Sequence, residues 1–149
     1  MKSSIRYSSS PRIARRATIL FADDDADTRE MMKTLLRFEG FDVITAADGY
    51  EAVDIARRSI PQLILLDLEL PTLDGIGVAK ALKSDRRFKS VPIVMLSGHS
   101  PTRFRQQALD AGCEEYLLKP LDFGRLHELL AHSRPVAKVE PQRRRNAVA

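Results

Sequence analysis

The sequence predicts an α/β fold: one doubly wound, mainly parallel sheet of five strands, with helices on both faces. Two observations predict it. Apolar runs of strand length alternate five times with segments of helical periodicity, in about 115 residues. Runs such as LILL at 63–66 are apolar without alternation, as strands covered on both sides are.

The elements follow in order. A strand over 18–22 ends abruptly in the acidic run DDDAD. A helix over 26–38 places Met31, Met32, Leu35 and Leu36 near one stripe, with Arg29, Glu30, Lys33 and Arg37 toward solvent. Gly40 separates it from a strand at 41–45, and Gly49 marks the passage to a helix at 50–58. After Pro61 comes a strand at 62–66, and after Pro71 a helix at 74–84. A strand at 92–96 closes at Gly98, and a helix at 102–111 closes at Gly112. The last pair is a strand at 114–118 and, beyond Pro120, a helix at 122–131. Helix and strand spacings vary and share no motif, which excludes a solenoid.

A chain of 149 residues has room for one sizeable core and not for two. Its hydrophobic fraction of 44% and charged fraction of 30% suit a soluble globular protein. No apolar run approaches the ~18 residues of a membrane span. The first 16 residues lack the apolar centre of a secretory signal, and Pro11 interrupts any amphipathic transit helix. Cys113 is the lone cysteine, so no internal disulfide is available and a reducing cytoplasm is expected, with Cys113 as small buried filler.

The net charge of +4 is unevenly placed. Residues 1–16 hold Lys2, Arg6, Arg12, Arg15 and Arg16 with no acid. Residues 134–149 hold Arg134, Lys138, Arg143, Arg144 and Arg145 against Glu140. The 17–133 body carries 14 basic and 19 acidic residues, so it is −5. The basic balance belongs to the tails, which read as solvated, disordered arms flanking a 17–133 domain. A nucleic-acid domain would be basic in its own body, so no specific nucleic-acid partner is expected, and no membrane.

In an open parallel sheet, ligands sit at the carboxyl ends of the strands. Four predicted strand ends carry polar groups there: Asp23 and Asp24, then Asp67, Ser97 and Lys119. An acidic helix start explains one or two aspartates of DDDAD, not four. Carboxylates from two adjacent strands can share one hard cation, and oxygen-only ligands with open positions favour Mg²⁺ (or Mn²⁺). With a hydroxyl and an ammonium added, the rim can hold a phosphoryl group. Asp67 stands alone at its strand end and is the best candidate nucleophile for an acyl phosphate.

The segments ILFADDDADTREMM, LILLDLELPTLDGIG, PIVMLSG and AGCEEYLLKP, in that order, resemble the receiver domain of two-component response regulators over residues 17–132. The spacings of 30 residues from Asp67 to Ser97 and 22 from Ser97 to Lys119 fit that family. The resemblance implies a flavodoxin-like (βα)5 sheet of order 2-1-3-4-5. It implies Asp67 as phospho-acceptor, Asp24 as a direct metal ligand, Asp23 acting largely through bound water, and Glu69 lending its backbone carbonyl. Ser97 matches the switch hydroxyl, Lys119 the phosphate-pairing lysine before a cis Lys-Pro bond, and Tyr116 the rotating aromatic. Glu69 and His99, two residues beyond Asp67 and Ser97, match positions that tune dephosphorylation. The implied partners are a histidine kinase or histidine phosphotransfer protein, an unknown downstream protein target, and a second copy of the chain on phosphorylation. Output is expected from the face built of helix 102–111, strand 114–118 and helix 122–131.

Asp25, Asp27 and Thr28 then fall to helix start and rim charge. Two other readings stand beside the receiver. One is a phosphorylation-independent scaffold of the same fold, which the complete acidic, Ser and Lys positions oppose. The other is a haloacid-dehalogenase-type phosphatase, an enzyme, using Asp23 and Asp25. It would want Thr or Val at position 27, which is Asp, and a cap for which the chain has no room. A signalling domain rather than an enzyme is expected. Only 15 residues follow Arg134, too few for an output domain. A stand-alone receiver is therefore expected, although one excised from a longer protein would read alike.

Overall fold

The computed structural model describes residues 16–98 and 102–133. His99 lies outside the described residues, as do the tail at 134–149 and all of the arm at 1–16 except Arg16.

Five strands form one parallel sheet: β1 (Thr18–Ala22), β2 (Asp42–Ala46), β3 (Leu63–Asp67), β4 (Ile93–Ser97) and β5 (Glu115–Leu118). The helices between and after them are α1 (Ala26–Phe38), α2 (Gly49–Ser59), α3 (Gly75–Lys83), α4 (Thr102–Asp110) and α5 (Phe123–Ser133). A 3-10 turn at Arg86–Phe88 leads into β4. The strand order is β2-β1-β3-β4-β5, as expected, with every pairing parallel.

Alternation along each strand splits the core in two. Ile19, Phe21, Leu63, Leu65, Val94 and Leu96 face Met32 and Leu36 of α1 and Leu126 and Leu130 of α5. Leu20, Ile64, Leu66 and Met95 face the other way, onto Ala52, Val78, Leu82 and Ala108 of α2, α3 and α4. All ten residues of β3 and β4 are buried, which accounts for their unbroken apolar runs. Burying each large aliphatic side chain there stabilises by roughly 1.5–3 kcal/mol.

Strand 18–22 and helix 26–38 keep their expected ends, and the other elements differ by one or two residues, at three strands for backbone reasons. Phe41 is buried like a strand residue, yet its amide donates to Leu36 O and closes the end of α1, so β2 begins at Asp42. Asp67 and Ser97 join β3 and β4 because their backbones continue the ladder, opposite Leu96 and Leu118. Hydropathy marks where side chains go, and the ladder is blind to them. The α1 stripe is also narrower than expected: Met32 and Leu36 are buried, while Met31 is 52% exposed.

Aspartates start the helices. Asp25, Asp48 and Asp74 cap α1, α2 and α3 by accepting the amides of Thr28, Glu51 and Gly77, and Asp85 caps the 3-10 turn. Lys83 closes the turn's other side, its Nζ donating to Phe88 O at 2.9 Å and Val91 O at 2.8 Å. Cys113 is buried, and burial pushes its thiol up to about 11, consistent with filler. No helix of the described residues is long and apolar enough to cross a membrane.

Candidate functional site at the strand switch point

The chain winds from β1 outward to β2, then crosses back to β3 on the other side. Strand order therefore reverses between β1 and β3, and a crevice opens at their carboxyl ends. Asp23 and Asp24 follow β1, and Asp67 ends β3, so both sides of this crevice are acidic. One carboxylate oxygen from each of the three lies within 4.8 Å of the others. Lys119 reaches over from the end of β5, its Nζ 3.2 Å from Asp67 Oδ2 and 3.4 Å from Asp23 Oδ2.

The charges do not balance. Asp23 and Asp67 are buried, Asp24 is exposed, and three carboxylates face one ammonium. Burial pushes the Asp67 carboxyl above its ordinary value, Lys119 offsets this only in part, and the neighbouring Asp23 carboxylate adds to the rise. Burial works to lower the Lys119 ammonium, but Asp67 and then Asp23 outweigh it and hold it above the usual lysine range. Among the described residues, the three carboxylates outnumber the one ammonium that contacts them, and the Arg29 guanidinium reaches only the main chain of Asp23, so the cluster stays net negative. An all-oxygen donor set with that deficit fits a hard divalent cation.

Local hydrogen bonds fix the carboxylates. Asp23 Oδ1 accepts the Asp25 amide at 2.9 Å, and its main-chain oxygen accepts Arg29 Nη1 at 2.8 Å. Glu69 N donates to Asp67 Oδ1 at 3.3 Å. The Asp25 side chain turns away, accepting both Thr28 N and Thr28 Oγ1. The third aspartate of the run is thus a helix cap, as expected, and it is not free to act as the second acid of a phosphatase pair. Substituting Asp24 by alanine is expected to weaken Mg²⁺ binding at least about tenfold, while Asp25→Ala shifts it less than threefold, since losing one of few carboxylate ligands far outweighs losing a nearby surface charge. Titration calorimetry reads this directly, and equal effects from the two variants would mean that the acidic run is misregistered.

Of the other expected residues, Ser97 and Glu69 lie at the same rim, Tyr116 lies on β5 two positions before it, and His99 is outside the described residues. Ser97 is 1% exposed at the end of β4, and its carbonyl accepts the Lys119 amide at 2.7 Å. The Lys119–Pro120 bond is cis. Tyr116 pairs with Met95 and Leu118 with Ser97, so Tyr116 and Ser97 project from the same face of the sheet, where Tyr116 is buried among the α2–α3–α4 cluster. Glu69 is exposed beside Asp67. His127 is exposed on α5, with Nε2 3.0 Å from a Glu39 carboxylate oxygen.

Sequence reasoning placed Arg29 only on the solvent side of α1 and missed its grip on Asp23. It also took Gly49 as punctuation and passed over Asp48 and Thr72, which join the loop after β3 to the start of α2. The string DGYE, an aspartate cap followed three residues on by glutamate, carried the signal for that helix start.

The response regulator receiver domain family matches residues 19–131. The DNA-binding response regulator MtrA of Mycobacterium tuberculosis is 39% identical over 131 residues, covering 88% of this chain and 52% of that protein. The chain spans about half the length of the curated relatives it matches. Among solved structures, chemotaxis protein CheY4 of Vibrio cholerae superposes with a TM-score of 0.74 at 29% identity, over 80% of this chain and 99% of that one. The receiver domain of sensor histidine kinase PA1611 from Pseudomonas aeruginosa, described with a magnesium ion coordinated in its active-site cleft, gives 0.73 at 30% identity, over 79% of this chain and 97% of that one. With the switch-point carboxylates, the rim lysine and the 2-1-3-4-5 sheet in place, the chain belongs to the response regulator receiver domain family.

Proposed function

We propose that this chain is a phospho-accepting receiver, a signalling domain rather than an enzyme, which takes a phosphoryl group onto Asp67 from a histidine kinase or histidine phosphotransfer protein. The observation that carries the reading is the meeting of Asp23, Asp24 and Asp67 at the switch point under a single ammonium. Asp67 attacks the phosphorus of a phospho-histidine; the P–N bond breaks, its electron pair stays on the imidazole nitrogen, and an acyl phosphate forms. Asp24, Asp23, Asp67 and the Glu69 carbonyl are the groups that would hold Mg²⁺ or Mn²⁺. An ion held there would supply positive charge to the phosphoryl group during transfer. Lys119 pairs with another phosphoryl oxygen, giving up part of its present contact with Asp23.

The signal leaves by Ser97, which turns toward the phosphoryl group while Tyr116 fills the space behind it. This shifts the α4–β5–α5 face as a change in population between two arrangements. Its readers are a downstream protein target or a second copy of the chain, and its setting is the cytoplasm. The magnesium in the PA1611 cleft supports the metal assignment. MtrA's DNA binding describes a protein of which this chain matches about half, so this chain receives only the receiver's part.

The test is incubation with acetyl phosphate, and separately with phosphorylated candidate kinases, in Mg²⁺ and in EDTA. Alkali-labile phosphorylation in Mg²⁺ alone, with altered amide exchange over the described parts of 97–119, is the expected result. Labelling that ignores the metal would overturn it, and exchange changes confined to the loop after Asp67 would overturn the choice of output face.

A further inference from the structure

One residue of the loop between β3 and α3 is strained where no glycine relieves it. Thr72 sits at φ +69°, in the left-handed region. A β-branched residue there is a genuine outlier, and such strain persists only where the surroundings hold it. They hold it through the Thr72 hydroxyl. Oγ1 donates to Asp48 Oδ1 at 3.2 Å and accepts the Tyr50 amide at 3.1 Å. Asp48 is also the cap of α2, with the same Oδ1 accepting Glu51 N at 2.9 Å.

The joint is tight in the backbone as well. Gly49 N donates to Pro71 O at 3.0 Å, and a Cβ on Gly49 would lie 1.8 Å from Leu73 O, so only glycine admits this approach. At the loop's far end Gly75 N donates to Leu68 O at 2.9 Å, and a Cβ on Gly75 would lie 2.6 Å from Asp67 O. The segment 68–74 is thus pinned at Asp67 and at the first turn of α2, with the Glu69 peptide against the Asp67 carboxylate between them.

We propose that Thr72 is a positioning residue for the acidic rim, and that its hydroxyl couples occupancy of that rim to the first turn of α2. This rests on the reading of Asp23, Asp24 and Asp67 as a Mg²⁺ site. A shift of the Glu69 peptide toward a cation would pass along the 68–74 segment to the bonds that Thr72 makes with Asp48 and Tyr50. Coupling is reciprocal: a latch that favours metal binding is itself favoured by the metal. α2 lies on the β2 side of the sheet, away from the α4–β5–α5 face, so this is a second line of communication.

Two measurements at a temperature where every variant is folded decide it. Thr72→Val keeps the branched shape and loses both hydrogen bonds, and Thr72→Ser keeps the hydroxyl. In Mg²⁺ titrations by calorimetry, T72V should bind about fivefold more weakly, the worth of roughly one net hydrogen bond, and T72S should bind like the parent. A purely structural role would lower the melting temperature and leave the affinity of the folded protein alone. In the unaltered protein, Mg²⁺ should slow exchange of the Tyr50 amide, and this needs no variant to fold. Equal Mg²⁺ affinity in T72V, or Tyr50 exchange indifferent to Mg²⁺, overturns the latch while leaving the metal site standing. A parent that binds no Mg²⁺ and takes no label overturns both.

Discussion

Replacing Asp67 by asparagine is expected to abolish Mg²⁺-dependent phosphorylation while leaving the fold as stable as before, or more so. The loss should reach at least about a hundredfold, since a neutral amide is a far poorer nucleophile than a carboxylate. The stability half of the expectation follows from the charge shortage. Burial raises the Asp67 carboxyl in the folded chain, so ionised Asp67 costs the metal-free fold at neutral pH. Asparagine has the same shape, keeps an oxygen for the Glu69 amide and removes the uncompensated charge. The metal-free thermal midpoint should therefore hold or rise, which separates lost chemistry from lost structure. The measurement is phosphoprotein content by intact mass or radiolabel, beside calorimetric melting in EDTA. Undiminished label on the variant, mapped to Ser97 or elsewhere, would sink the assignment of Asp67.

How legible the site was depended on how far apart in sequence its parts lie. Asp23, Asp24, Asp67, Ser97 and Lys119 each close an apolar strand-length run, and in a parallel sheet all such ends share one rim, so strand reading alone collects them. The order of the strands needed the family resemblance, because hydropathy does not say which neighbours pair. Position within an element was less legible. Asp67 and Ser97 are polar, so an apolar-run criterion stops short of them, although their backbones stay in the ladder. Least legible were bonds between loops. Nothing in the composition of PTLDG says that Thr72 is left-handed or that its hydroxyl lies against Asp48. Met31 shows the same limit on a helix: its spacing suits the buried stripe, yet it is half exposed, while Met32 and Leu36, four residues apart, take the buried face.

Lys119→Met should separate two properties that a simple loss of function would join. Its ammonium now sits 3.2 Å and 3.4 Å from carboxylates that the metal also needs, so the side chain competes with Mg²⁺ as well as completing the phosphoryl site. At an effective dielectric near 20, like or unlike unit charges about 4 Å apart interact by roughly 4 kcal/mol, before the solvent screening that a partly exposed lysine incurs. If about a third of that survives, removing the ammonium tightens Mg²⁺ about tenfold. Phosphorylation should move the other way, because the acyl phosphate brings new negative charge and loses its cationic partner. Metal-free stability should fall, since Asp23 and Asp67 are buried and would face each other without compensation. The pH dependence carries a distinctive sign. A carboxyl whose folded pKa is raised stabilises the fold when protonated, and that contribution is lost as pH rises through the folded value. Asp67 is already raised, and without Lys119 it rises further. In EDTA the variant should therefore gain stability as pH drops from neutral through that range, before protonation of the Asp25 and Asp85 caps, both held below the usual range, sets in. Mg²⁺ should remove this dependence by holding the carboxylates ionised. Melting curves across pH in EDTA and in Mg²⁺, with Mg²⁺ titrations of both proteins, read every part. A variant that binds Mg²⁺ more weakly than the parent would show that Lys119 supports the metal rather than standing in its place.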